Sequence, residues 1–129
     1  MKQPNILILM TDQQRADCLS GAGHPIVRTP NMDRLAAKGV RFSQAYSSNP
    51  VCMPVRSSFQ SGLYSHNHGQ WTNWGFLPPY IDTYPKSLKE AGYTTCHVGK
   101  SHLYPHNFPG VDTFHCADMV PYMNALGWE

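Results

Sequence analysis

The sequence predicts an α/β domain built around a mostly parallel central sheet, and three observations predict it. Ile6 to Met10 is a continuous apolar run of five residues bounded by polar ones, the pattern of a strand buried on both faces. Thr29-Pro30 opens a stretch that carries Met32, Leu35 and Ala36 on one face and ends at Gly39, which supplies the start, stripe and stop of a helix. Val40 to Tyr46 then alternates apolar and polar side chains, and completes a strand, helix, strand unit.

The elements follow in chain order. Asp12 falls just past the carboxyl end of the first strand, where open α/β sheets bind their ligands. Gly39 is expected to close the first helix in a left-handed conformation. Pro54 marks a second helix start, with a stop at Gly62, so Cys52 lies at or just before a helix N-terminus. Free N–H groups and the helix dipole there favour negative charge. From His66 to Pro79, aromatic residues, Gly, Asn and Pro accumulate without a period, as in a loop. Tyr84 to Ala91 has a short helical pattern closed by Gly92, and Tyr93 to Val98 reads as a strand that delivers Lys100 and His102 at its carboxyl end. The tail from Pro105 to Glu129 has no clear period, apart from a short helix within Met119 to Leu126. No repeat, low-complexity segment or charge run appears.

At 129 residues the chain is one domain at most. Its 41% hydrophobic, 12% aromatic and 14% charged residues support a packed core, while 11 Pro and 10 Gly imply many loops. A net charge of +2 is too small to argue for nucleic acid or an anionic membrane as partner. The longest apolar run is far short of the roughly 20 residues that span a bilayer, and shorter than a signal-peptide core. A cytoplasmic chain is expected, or a periplasmic or secreted one already trimmed. The four cysteines, Cys18, Cys52, Cys96 and Cys116, form no Cys-x-x-Cys pair, so free thiols are expected rather than a zinc knuckle or a redox pair.

One run carries more chemistry than the rest. Cys52-Met53-Pro54-Val55-Arg56 has the spacing Cys-x-Pro-x-Arg, with Ser61-Gly62 after four further residues. A Cys-x5-Arg phosphatase loop is excluded, because Arg56 stands only four positions after Cys52. The run resembles the signature of the type I sulfatases, in which a modifying enzyme oxidises this cysteine to formylglycine. Three other segments match in the family's order. Asn5 to Gln13 resembles its opening strand with a metal-binding Asp at the tip, Thr29 to Ala36 resembles its first helix, and Gly99-Lys100-Ser101-His102-Leu103 is similar to its Gly-Lys-x-His-Leu element. The departures are Val55 for Ser or Ala, Ser61 for Thr, and Gln13 for a second acidic residue. Gln13 is shared with the branch that resembles choline sulfatases and phosphonate monoester hydrolases.

The resemblance implies an alkaline-phosphatase-like sandwich, of which residues 1–129 are the N-terminal part of the catalytic domain. It implies hydrolysis of a sulfate monoester by a formylglycine hydrate at position 52. One hydroxyl attacks sulfur, and deprotonation of the other expels sulfate, which a serine could not do. It assigns Arg56 to hold the nucleophile, Lys100 to contact sulfate, and His102 to act as the base that collapses the intermediate. Asp12, Gln13 and the modified Cys52 become ligands of a divalent cation, calcium first, with manganese or magnesium as alternatives. The remaining ligands and leaving-group acid lie beyond Glu129, so residues 1–129 alone are expected to be inactive. The implied partners are a small anionic sulfate ester, a formylglycine-generating or anaerobic sulfatase-maturating enzyme, and, for an incomplete sheet, further copies of the chain.

Each residue also has a plainer reading. Alone, Cys52 is a small buried hydrophobe, Asp12 a helix cap, Lys100 and His102 solvated loop residues, and Arg56 the partner of a surface carboxylate. Their joint order selects the site. His66 and His68 lack companions at zinc-ligand spacing and are expected in an exposed polar loop, where the resemblance leaves open that His66 or His68 approaches the substrate. Trp71 and Trp74 line a substrate entrance or cover a core. Asp17, His24, Arg28 and Asp33 cap, pair or stay solvated. Two rival functions remain: a phosphonate or phosphate ester hydrolase of the same superfamily, and a non-catalytic truncated fragment.

Overall fold

The computed structural model describes residues 3–98 and 100–103, in two units, Met1–Ala45 and Tyr46–Glu129.

Polar side chains organise the first unit. Helix α1 (Pro30–Lys38) begins where the sequence places it, with Thr29 at the N-cap and proline at the first helical position. Thr29 Oγ1 turns outward to a 3-10 turn (Ser20–Ala22) instead of capping its own helix. It accepts the Ser20 N–H at 3.0 Å, while Ser20 Oγ accepts the Thr29 N–H at 2.8 Å. Asp33 completes the clasp by accepting from Ser20 Oγ, from the Gly21 N–H at 2.9 Å and from Thr29 Oγ1 at 3.3 Å. The Ser20 hydroxyl is the main reason the Asp33 carboxyl sits below the usual carboxylate range, supported by the Gly21 N–H. Asp33 therefore caps, as the sequence allows, and Asp17 pairs with Arg15. Gly39 is a correction: with φ −133° it ends α1 outside the left-handed region, its N–H reaching Ala36 O at 3.4 Å.

The second unit is built on α2 (Cys52–Ser61), which packs against the single turn α3 (Ser65–His68) and against α4 (Tyr84–Glu90). Its buried apolar residues are Met53, Leu77, Ile81 and Leu103, joined by the fully buried Pro54 and Pro85. Phe59 and Tyr84 meet edge to face with ring centroids 5.7 Å apart. The Leu77 N–H donates to Leu103 O at 3.0 Å, which fastens the 100–103 segment to the core. Gly62 stops α2 with φ 71°, a left-handed cap that glycine adopts without Cβ strain. Gly92, at φ 87°, follows α4 as the sequence requires.

The expected strands are not present among the described residues: Ile6 to Met10, Val40 to Tyr46 and Tyr93 to Val98 carry no ladder. A strand exists through its neighbours, and the apolar pattern of these segments meets none. Leu7 and Leu9 are each 81% exposed and Phe42 is 80% exposed, whereas a strand of a parallel sheet is covered on both faces. The apolar stripe of α1 is likewise uncovered, with Leu35 71% exposed. The loop reading of 66 to 79 is corrected at its start, where Ser65–His68 forms α3. The expected helix within 119–126 lies outside the described residues.

Candidate active site

Cys52 is the first residue of α2 and is half-buried. The N-cap is Val51, an apolar residue that makes no side-chain cap bond. The first-turn N–H groups therefore take partners from elsewhere. Asn49 Oδ1 accepts the Val51 N–H at 2.8 Å and fixes the approach to the helix. Pro54, the third residue, has no N–H to satisfy. Asn73 Oδ1 accepts the Met53 N–H at 3.0 Å from 20 residues away. The expectation of several free donors at this terminus is thereby narrowed, since proline removes one and Asn73 occupies another.

Arg56 stands four residues after Cys52, and so on the same helix face one turn on. Its Nη1 donates to the Lys100 carbonyl at 2.7 Å. This bond joins the Cys-x-Pro-x-Arg helix to the Gly-Lys-x-His-Leu segment across 44 positions of sequence. Lys100 is exposed, and His102 is 7% exposed, beside the fully buried Leu103. His102 has φ 47° and Gln13 has φ 54°, and these are the non-glycine positive-φ residues of the described chain. That conformation strains a side-chain-bearing residue and clusters at functional positions. Both residues belong to the set singled out from sequence.

The structure thus brings Cys52, Arg56, Lys100 and His102 into the second unit, while Asp12 and Gln13 lie exposed and adjacent in the first. Asp12 and Gln13 offer hard oxygen donors, the chemistry calcium requires, as part of the roughly 6 to 8 it takes. Among the described residues, no group of three or more His, Cys, Asp or Glu forms a complete metal site. Cys18, Cys52 and Cys96 are free thiols, as expected, and Cys116 lies outside the described residues. No described helix is long and apolar enough to cross a membrane.

His68 departs from its expected exposure. It is 3% exposed, with Nδ1 accepting the Gln70 N–H at 3.1 Å and Nε2 at 2.9 Å from Ser58 Oγ on α2. Both ring nitrogens are engaged, so His68 is a strut between α2 and α3. Burial is the main cause that lowers its pKa, with His66 nearby acting in the same direction. His66 instead stacks on Tyr64, ring centroids 5.7 Å apart. Trp71 and Trp74 are 58% and 70% exposed.

Sequence reading missed Asn73, Gln70 and Ser58. The one available signal was the apolar Val51 at the N-cap, which requires a distant acceptor without saying which.

The sequence profile named Sulfatase matches residues 4–122. The chain is 41% identical over 110 residues to the uncharacterized sulfatase YidJ of Escherichia coli, covering 85% of this chain and 22% of that protein. A solved structure of a protein in complex with its substrate, D-glucosamine-2-N,6-O-disulfate, superposes with a TM-score of 0.77 at 38% identity, over 84% of this chain and 22% of that one. The phosphonate monoester hydrolase of Agrobacterium radiobacter superposes with a TM-score of 0.77 at 32% identity, over 98% of this chain and 24% of that one. The sulfatases among these neighbours have the alkaline-phosphatase-like fold expected from the sequence. The chain spans about a fifth of the length of such relatives. With the profile covering nearly its whole length and the Cys-x-Pro-x-Arg helix tied to the Lys-x-His segment, this chain belongs to the sulfatase family.

Proposed function

We propose that the protein carrying this chain hydrolyses sulfate monoesters, with position 52 as the site of its nucleophile. The observation that carries the reading is Cys52 at the first position of α2, with Arg56 one turn on and hydrogen-bonded to the Lys100 carbonyl. Formylglycine formed from Cys52 supplies a hydrate, one hydroxyl of which attacks sulfur while loss of the other's proton expels sulfate. Arg56 holds the residue-52 oxygen and balances its charge, and Lys100 Nζ binds the sulfate oxygens. The His102 imidazole takes the proton from the second hydroxyl. Asp12 and Gln13 are the residues of this chain that would hold a divalent cation, calcium first, through a carboxylate and an amide oxygen. Such an ion would supply Lewis-acid polarisation of an ester oxygen.

The modification requires a formylglycine-generating or anaerobic sulfatase-maturating enzyme as a partner. The test is hydrolysis of aryl and sugar sulfates, including a 6-O-sulfated glucosamine, by the whole protein made with such an enzyme. Turnover that Cys52→Ala abolishes supports the reading, and equal turnover by Cys52→Ala overturns it.

A second reading, phosphonate or phosphate ester hydrolysis, is favoured by the likeness to the phosphonate monoester hydrolase over 98% of this chain, and by Gln13 in place of a second carboxylate. Comparing kcat/KM on a sulfate and a phosphonate ester of one alcohol separates the two.

A further inference from the structure

We propose that Asn73 is the positioning residue of the nucleophile turn, and that its amide oxygen sets the direction of the residue-52 side chain through the Met53 N–H. The inference rests on position 52 being the nucleophile and extends that reading to a residue outside the Cys-x-Pro-x-Arg run.

The bond from the Met53 N–H to Asn73 Oδ1 is 3.0 Å long. A peptide unit is planar, so the N–H of Met53 lies in one plane with the carbonyl of Cys52. Holding that N–H therefore holds the torsion that follows the residue-52 α-carbon, and with it the direction in which its side chain leaves the helix. No other described group substitutes for it: Val51 makes no side-chain cap and Pro54 has no N–H. The fully buried Met53 side chain anchors the same residue from its other end.

Asn73 is itself exposed, so burial does not fix it. A buried amide does. Gln70, 3% exposed, spans the loop with its Nε2, donating to Thr72 O at 2.7 Å and to Trp74 O at 3.2 Å, one residue to each side of Asn73. The Trp74 N–H is returned to Thr72 Oγ1 at 3.2 Å. The Gln70 N–H donates to His68 Nδ1 at 3.1 Å, and His68 Nε2 meets Ser58 Oγ at 2.9 Å. The polar chain starts on α2 at Ser58 and returns to α2 at Met53. The helix and the loop that orients its first turn are thus locked to each other, in a network where each bond supports the next. Asn73 is assigned no contact with the reacting atoms, and its effect is on how residue 52 is presented.

The test uses the whole protein carrying this chain, with Cys52 converted, as Asn73→Leu, Asn73→Ala and Asn73→Asp variants. Leucine and alanine remove the acceptor, while aspartate keeps an oxygen in its place. Misplacement of a reacting group by about 1 Å is enough for a rate loss near 10²-fold. The expected result for Asn73→Leu and Asn73→Ala is a fall in kcat of about that size, with KM nearly unchanged. Asn73→Asp should recover most of the rate. Hydrogen exchange at the Met53 amide, read independently of activity, should accelerate in the leucine and alanine variants and stay slow in the aspartate variant. An unchanged kcat, a loss confined to KM, or no rescue by aspartate overturns the proposal, and so does unaltered Met53 exchange. A wild-type protein without turnover overturns the sulfatase reading instead, and the Met53 exchange still decides whether Asn73 holds the turn.

Discussion

Arg56 reaches across 44 residues of sequence to place its Nη1 2.7 Å from the backbone carbonyl of Lys100. The guanidinium has five donors in a planar fork, and one of them holds the 100–103 segment. The arginine of the Cys-x-Pro-x-Arg run thus fastens α2 to the backbone of the Lys-x-His segment. Arg56→Lys keeps the charge and loses the fork. It is expected to lower kcat by about 10²-fold, the size of effect seen when one stabilising donor is removed. Steady-state kinetics check this, and an Arg56→Lys enzyme with wild-type kcat would reduce Arg56 to a charge.

His102 occupies a left-handed backbone conformation at φ 47°. Substituting His102→Gly relieves that strain, of order 1 to 3 kcal/mol, but removes the imidazole. The expected variant attacks substrate at a near-normal rate and releases sulfate slowly. A pre-steady-state burst with trapped sulfated enzyme is the signature. Uniformly weaker turnover with no trapped species assigns His102 another role.

Asp12 supplies the carboxylate of the first unit's pair of oxygen-bearing residues. Asp12→Ala is expected to weaken divalent-cation affinity at least 10-fold and to lower activity in parallel, because a hard cation loses its charged ligand. Titrating activity against calcium measures both. An unchanged calcium dependence removes Asp12 from the site.

The helices and the family were more legible in the sequence than the sheet. The helices of Thr29-Pro30 and of Cys52 to Gly62 follow from local signals, proline in the first turn and glycine at the stop, which act within a few residues. The strand from Ile6 to Met10 depends on neighbours, and a pattern of buried apolar residues cannot specify a ladder unless those neighbours are beside it. Gln13 and His102 were found through motifs, and their strained backbone is an independent mark that sequence does not carry. Asn73 and Gln70 escaped because their role lies in a hydrogen-bond circuit across a loop without periodicity. His68 escaped because its neighbours in sequence are polar, while its neighbour in space is the Ser58 face of α2.

His68 gives the second unit a dependence on pH. Burial lowers its pKa below the ordinary 6.5, so the folded state resists a proton that the unfolded chain accepts. Its contribution to stability is complete above about pH 6.5, declines as the pH falls from there towards the folded pKa, and then levels off. Thermal unfolding of the protein and of His68→Gln between pH 7.5 and about 5 checks this. The variant is expected to lose less stability over that range than the parent, and equal losses would exclude His68 as the cause.

Mass spectrometry of the peptide containing Cys52, from protein made with an active maturating enzyme, tests the nucleophile most directly. Conversion of the thiol to an aldehyde makes the peptide about 18 Da lighter, by the atoms exchanged in forming this nucleophile. The expected result is that mass, together with aldehyde reactivity at position 52. An unmodified Cys52, in a preparation where a control sulfatase is converted, would contradict the assignment of position 52 as a formylglycine nucleophile.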